Sequence, residues 1–161
     1  PLTPVLNVLN PRQPHTLCAQ PLQATPYTVS ALPSDSTAVQ IAAGWGSSYA
    51  MLVDGSVWAW GDNYYGPLGD GTRYNNRLSP VRIGGYGADT AMRLPPGGAK
   101  ANTMFVVAAD GTAMGSGLNS DRQLGNGGTS RVLTAGAIPE LGGGIVEIAR
   151  GYTHTLVLKG E

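Results

Sequence analysis

The chain has 161 residues, with 10 Lys+Arg against 10 Asp+Glu, so its formal net charge is zero. That balance, with no run of basic residues, argues against a nucleic-acid binder, whose affinity comes largely from phosphate contacts. Only 12% of the residues are charged, 42% are hydrophobic and 24 are Gly, a composition that excludes a solvated disordered tail and points to many tight turns between short strands.

Residues 1–38 stand apart. They hold seven of the 12 prolines, none of the glycines, and only Arg12 and Asp35 as charges. Pro cannot donate to a strand ladder, so this segment reads as an extended arm or as the remnant of a preceding blade-like unit. Leu6, Val8 and Leu9 are placed to cover apolar surface, and Thr25-Pro26-Tyr27-Thr28-Val29 resembles an outer strand found further along. The single Cys18 excludes an intrachain disulfide and reads as a free thiol. No stretch supplies the ~20 apolar residues of a spanning helix, and no basic segment followed by an apolar core marks a leader. The chain opens on Pro1 rather than Met, as expected of a processed product or a fragment.

From Val39 the pattern changes to period two. Val39, Ile41 and Ala43 alternate before Gly44-Trp45-Gly46. Tyr49–Val53 forms a second apolar run, and Ser56–Trp60 a third. Asp54-Gly55 between them predicts a two-residue hairpin turn with both residues at positive φ. Gly61-Asp62-Asn63 ends the third strand, and a Gly-rich loop carries Tyr64 and Tyr65 through to Thr72. Ser79–Ile83 is a fourth, outer strand, an edge position that tolerates Pro80.

This unit recurs. Asp54, Gly55, Gly61, Asn63, Leu68, Gly69 and Gly71 return as Asp110, Gly111, Gly117, Asn119, Leu124, Gly125 and Gly127, all at one offset of 56 residues. The copy is degenerate: Ser116 stands where the first unit has Trp60, and Leu94-Pro95-Pro96-Gly97 replaces Ile41-Ala42-Ala43-Gly44. A third unit starts at Ile145–Gly151, an echo of the first at an offset of 107, and its next strand begins at His154. The predicted organisation is therefore 1–38 as arm, 39–90 as a complete repeat, 91–144 as a degenerate repeat and 145–161 as a partial one.

Ile41-Ala42-Ala43-Gly44, Asp54-Gly55, Trp58-Ala59-Trp60-Gly61-Asp62-Asn63 and Leu68-Gly69-Asp70-Gly71-Thr72, in this order and spacing, resemble a repeat of the regulator-of-chromosome-condensation family. The resemblance implies an all-β fold, with blades of four-stranded antiparallel sheet stacked into a β-propeller. About three repeats do not close a ring, so an incomplete ring is expected. A larger parent chain or a homo-oligomer would complete it. Trp58 and Trp60, two apart on one strand, share a face and are expected to pack between blades. His154 falls where the family commonly places a histidine at the start of the second strand, a structural role.

No catalytic, cofactor or metal site is expected. Asp62, Asn63 and Asp70 lack the spacing of a calcium loop and are read as turn caps. His15 and His154 have no nucleophile motif beside them. The candidate partner-binding residues are Trp45, Tyr64, Tyr65 and Tyr152, large amphipathic side chains on loops. The expected function is a non-enzymatic protein-interaction module, binding a protein partner and no nucleic acid. Guanine-nucleotide exchange on a small GTPase, the founding activity of the family, is the alternative, and sugar stacking on exposed aromatics is a third reading. Low charge and a Gly-, Ser-, Thr- and Asn-rich surface lean toward an extracellular or envelope setting, and a bacterial, secreted protein is expected.

Overall fold

The computed structural model describes residues 7–8, 27–29, 32–84, 93–98 and 100–160. Asn7–Val8 (β1) and Tyr27–Thr28 (β2) form an antiparallel pair. The arm's Leu6, Leu9, His15 and Cys18 lie outside the described residues.

The first blade is a meander of four antiparallel strands: β3 (Ala38–Ala43), β4 (Ser47–Leu52), β5 (Val57–Gly61) and β6 (Arg77–Arg82), hydrogen-bonded in that order. The outer strand β6 begins two residues ahead of the Ser79 start read from the sequence and accommodates Pro80 at the sheet edge. The hairpin between β4 and β5 differs from the expected two-residue turn. Leu52 N–H donates to the Ser56 carbonyl, and Gly55 N–H donates to the Leu52 carbonyl. Only Gly55 has positive φ, at 75°. This is a three-residue loop, a type I turn closed by a left-handed Gly. Asp54 stays at negative φ because its carboxylate is engaged by the residue that follows the turn. It accepts from Ser56 N–H at 2.9 Å and from Ser56 Oγ at 2.6 Å. Those hydrogen bonds hold its carboxyl below the usual aspartate range. Asp110 repeats the arrangement with Thr112.

The second blade has three strands, β7 (Thr103–Val107), β8 (Ala113–Gly117) and β9 (Val132–Ala137). Among the described residues, the position of its innermost strand holds one bridge, between Arg93 and Val107. Pro95 and Pro96 follow, and without N–H groups they cannot continue the ladder. A third sheet pairs β10 (Ile145–Arg150) with β11 (Thr155–Lys159).

The core lies between blades. Tyr49, Met51, Val57, Ala59, Leu68 and Ile83 of the first blade pack against Leu94, Met104, Val106 and Ala135 of the second. Phe105, Val107, Ala113, Leu124 and Ile138 pack against Ile145 and Ile148 of the third. Side chains of a strand alternate between faces, so β7 sends Met104 and Val106 one way and Phe105 and Val107 the other. Both faces are covered, which is why Thr103-Met104-Phe105-Val106-Val107 is buried throughout and shows no polar alternation. Each fully buried side chain of this size contributes about 1.5–3 kcal/mol.

Two arginines tie neighbouring blades through backbone carbonyls. Arg93 donates to the carbonyls of Ile145, at 2.6 Å, and of Val146. Arg150 donates to Thr103 O at 2.6 Å and to Pro95 O at 3.3 Å. Burial disfavours the Arg150 charge and lowers its pKa, against an opposing effect of Tyr49. On the first blade, Trp58 and Trp60 share the face opposite the first core cluster, paired across β4 with Ala50 and Ser48. Trp60 is buried, and the half-buried Trp58 donates from Nε1 to Ser56 Oγ. The arc ends on β11 with Leu156 and Leu158 exposed on the face turned away from the core. Among the described residues, no helix is long and apolar enough to cross a membrane.

Candidate functional site

Antiparallel meanders sort their loops by end. In the first two blades the connections from the first strand to the second and from the third to the fourth emerge together, opposite the Asp-Gly hairpins, and the β10–β11 loop of the third takes the first of these positions. The backbone shows this directly. Asp62 N–H donates to Gly46 O at 2.8 Å, and Leu118 N–H donates to Asn102 O at 2.9 Å. Trp45 and Tyr152 sit in first-to-second strand loops, while Tyr64 and Tyr65 sit in a third-to-fourth strand loop. All four candidate residues thus share one end of the arc. In the third blade, Thr155 Oγ1 donates to Gln123 O at 2.7 Å, which fixes the Tyr152 loop beside the loop of the second blade.

The long loop of the first blade is held by a buried amide. Asn63 Oδ1 accepts from Leu68 N–H, and its Nδ2 lies within hydrogen-bond range of Asp70 Oδ1, Thr72 O and Thr72 Oγ1. Asn119 does the same for Leu124, Asn126 and Gly128. Asp70 anchors the loop's far end. It accepts from Thr72 and forms a 2.6 Å ion pair with Arg77. Burial works against the Asp70 charge, but the hydrogen bonds from Thr72 and Arg77 outweigh it and hold the carboxyl below its ordinary range. Asp62 caps the turn at Tyr64 N–H. Tyr49, wholly buried beneath this loop, bonds with Ser47 and donates to Pro67 O at 3.0 Å. Burial pushes its hydroxyl up to about 12, so it remains a neutral donor.

The loop's apex carries its aromatics outward. Tyr64, 43% exposed, meets Tyr65 and Tyr74 edge-on, each at 4.8 Å between ring centroids. Arg73 lies 4.9 Å over the Tyr74 ring and Arg131 lies 5.3 Å over Tyr65. Nearer the inner strands, Trp45, 40% exposed, meets Tyr152, 49% exposed, edge-on at 6.4 Å. Ala101 occupies the corresponding position of the second blade. Its carbonyl accepts from Trp45 N–H at 3.1 Å.

The candidate residues fall into two pairs, Trp45 with Tyr152 and Tyr64 with Tyr65. Tyr74, Arg73 and Arg131 join the second pair and were not among the residues expected from the sequence. Tyr74 was legible only as an aromatic beyond the loop's last glycine, and Arg131 stands 66 residues from Tyr65, a juxtaposition that no local pattern shows. His154 is exposed and folds over Gly151, whose N–H donates to the His154 carbonyl. Among the described residues no group of three His, Cys, Asp or Glu side chains could hold a metal ion.

Antiparallel meander sheets stacked face to face, the middle one covered on both faces, with loops gathered at one end, define an arc of a β-propeller. The profile of the regulator of chromosome condensation (RCC1) repeat matches residues 38–66 and again 54–89. The chain belongs to the RCC1-repeat family.

Its sequence is 32% identical over 140 residues to the human probable E3 ubiquitin-protein ligase HERC6, covering 83% of this chain and 13% of that protein. It is 33% identical over 113 residues to the secretion-regulating guanine nucleotide exchange factor of Bos taurus, covering 70% of this chain and 24% of the other. The chain therefore spans a quarter or less of these curated relatives. Among solved structures, human WBSCR16 superimposes with a TM-score of 0.74 at 24% identity, over 90% of this chain and 36% of that one. Yeast RCC1 (Prp20), in a crystal structure with Kap60, superimposes at 0.65 and 17% identity, over 76% of this chain and 30% of its own. These likenesses are of fold.

Proposed function

We propose that this chain is the docking segment of a propeller, engaging a protein partner through the loop-bearing end and performing no chemistry of its own. The observation that carries the reading is the placement of Trp45, Tyr64, Tyr65 and Tyr152, partly exposed, on one end of the arc. Rings held by neighbouring rings keep a defined orientation, so they present apolar area at low entropic cost on binding. Structural neighbours have protein partners: yeast RCC1 was crystallised with Kap60, and Prp20p was studied for binding to Gsp1p and histones. The uncovered Leu156 and Leu158 face supports stacking of a further blade, supplied by a longer chain or a second copy.

The test is a titration of an identified, purified partner against the wild-type chain and the double variant Trp45→Ala with Tyr65→Ala. Affinity is expected to fall at least tenfold, about 1.4 kcal/mol, with thermal melting unchanged. Undiminished binding overturns the assignment of this face. Guanine-nucleotide exchange is the second reading, favoured by the likeness to the Bos taurus exchange factor. Accelerated release of fluorescent GDP from a purified small GTPase by this chain would establish it, and an unchanged release rate would exclude it for that GTPase.

A further inference from the structure

We propose that the groove between the outer loops of the first two blades holds an acidic peptide segment of the protein partner, with carboxylates taken by Arg73 and Arg131. The inference rests on the loop-bearing end being the docking face, and it specifies the partner's chemistry there.

The groove is lined by Arg73, Ser120, Thr129, Ser130, Arg131 and Leu133. Two blades build it. Gly71 N–H donates to Leu133 O at 2.9 Å, and Ala135 N–H donates to Gly69 O at 3.1 Å. The first blade's loop therefore lies along β9 like an extra strand, and Leu133 supplies an apolar wall. The lining holds two guanidinium groups and three hydroxyls and no carboxylate. Asp70, the acid nearest Arg73 along the first blade's loop, is paired with Arg77. Asp121, next to Ser120 in sequence, bonds with Ser120 Oγ and lines the adjacent groove together with Arg122.

The aromatics orient these charges. Arg73 stacks on Tyr74, Tyr74 meets Tyr64 edge-on, Tyr64 meets Tyr65, and Arg131 stacks on Tyr65. A guanidinium resting on a ring face keeps its N–H fork free at the edge, the geometry that takes a carboxylate bidentately. The hydroxyls of Ser120, Thr129 and Ser130 in the same lining match the carbonyls and N–H groups of an extended backbone. A nucleic acid fits less well, because phosphate-driven binding draws on many cations and this groove supplies two on a chain of zero net charge.

The experiment measures fluorescence anisotropy with a labelled short polyglutamate peptide, a polyglutamine peptide of equal length and an oligothymidylate. Polyglutamate is expected to bind in preference to both and to weaken as salt rises. Arg73→Gln with Arg131→Gln should lower its affinity about tenfold, or about 1.4 kcal/mol. Arg73→Lys with Arg131→Lys, which keeps the charge without the fork, should fall between. Equal binding of polyglutamine, preference for the oligonucleotide, or indifference to both arginine pairs overturns the proposal. If an identified partner is weakened by Trp45→Ala with Tyr65→Ala yet unaffected by the arginine variants, the docking face stands and the acidic segment falls. If neither pair matters, both readings fall.

Discussion

Asn63 shows how much one buried amide can organise. It is fully buried, and its side-chain hydrogen bonding to Leu68 N–H and to Asp70 and Thr72 closes the loop that carries Tyr64 and Tyr65. Removing it leaves Leu68 N–H without its acceptor, and an unsatisfied buried group costs about 1–3 kcal/mol. Asn63→Ala is therefore expected to destabilise the fold by about 2–4 kcal/mol, read as a lower midpoint in urea denaturation. Asp70 adds a pH dependence to the same loop. Its folded pKa lies below the ordinary value near 3.8, so its carboxylate stabilises the fold at every pH above that value. The contribution disappears as pH falls through the lowered folded pKa. Asp70→Asn is expected to flatten the fall of melting temperature with pH in the acid range below about pH 4, measured by calorimetry across that window. An identical acid slope in the variant would refute the assignment.

At the scale of elements, the second blade shows how a proline-rich segment is held at the inner edge without a ladder of its own among the described residues. Leu94-Pro95-Pro96 makes a single bridge pair possible and no ladder. The segment is instead held by contacts to its neighbours: Leu94 N–H donates to Gln40 Oε1 at 2.7 Å, and Pro95 O accepts from Arg150. Gly97 lets the segment lie directly on β3, since an added Cβ would overlap the Ala43 carbonyl. That obstacle is backbone, which does not rotate away. Gly97→Ala is expected to cost about 1–3 kcal/mol by prising the first two blades apart at their inner edge. Equal stability to wild type in chemical denaturation would contradict this close approach.

The whole molecule coheres because each blade buries one face on the next. Phe105 is the largest side chain in the interface between the second and third blades and is fully buried. Phe105→Ala is expected to destabilise by about 3–5 kcal/mol. Because β10 and β11 have no other covered face, hydrogen exchange should rise first in those two strands. Uniform exchange across all three blades would indicate a different coupling. The same stacking carries function. Neighbouring blades place Arg131 beside Tyr65, and the stacking of three blades brings Tyr152 to Trp45, so a change at a blade interface moves the binding end as well.

The sequence alone determined the repeat, its all-β class and the loop-bearing aromatics. Seven positions recur at one offset because turns and buried amides demand particular residues: Gly where φ is positive, and Asn where a loop needs donor and acceptor together. The Asp-Gly hairpin was legible as a turn but not as a three-residue one, since Asp54 could choose between positive φ and a side-chain bond to Ser56. Only the tertiary structure decided which aromatics meet. Trp45 and Tyr152 are 107 residues apart and meet because three blades stack in order. Arg73 and Arg131 come to line one groove for the same reason. Local chemistry sets turns and strands, but contacts between blades depend on how sheets twist and stack, and that information is spread over the entire arc.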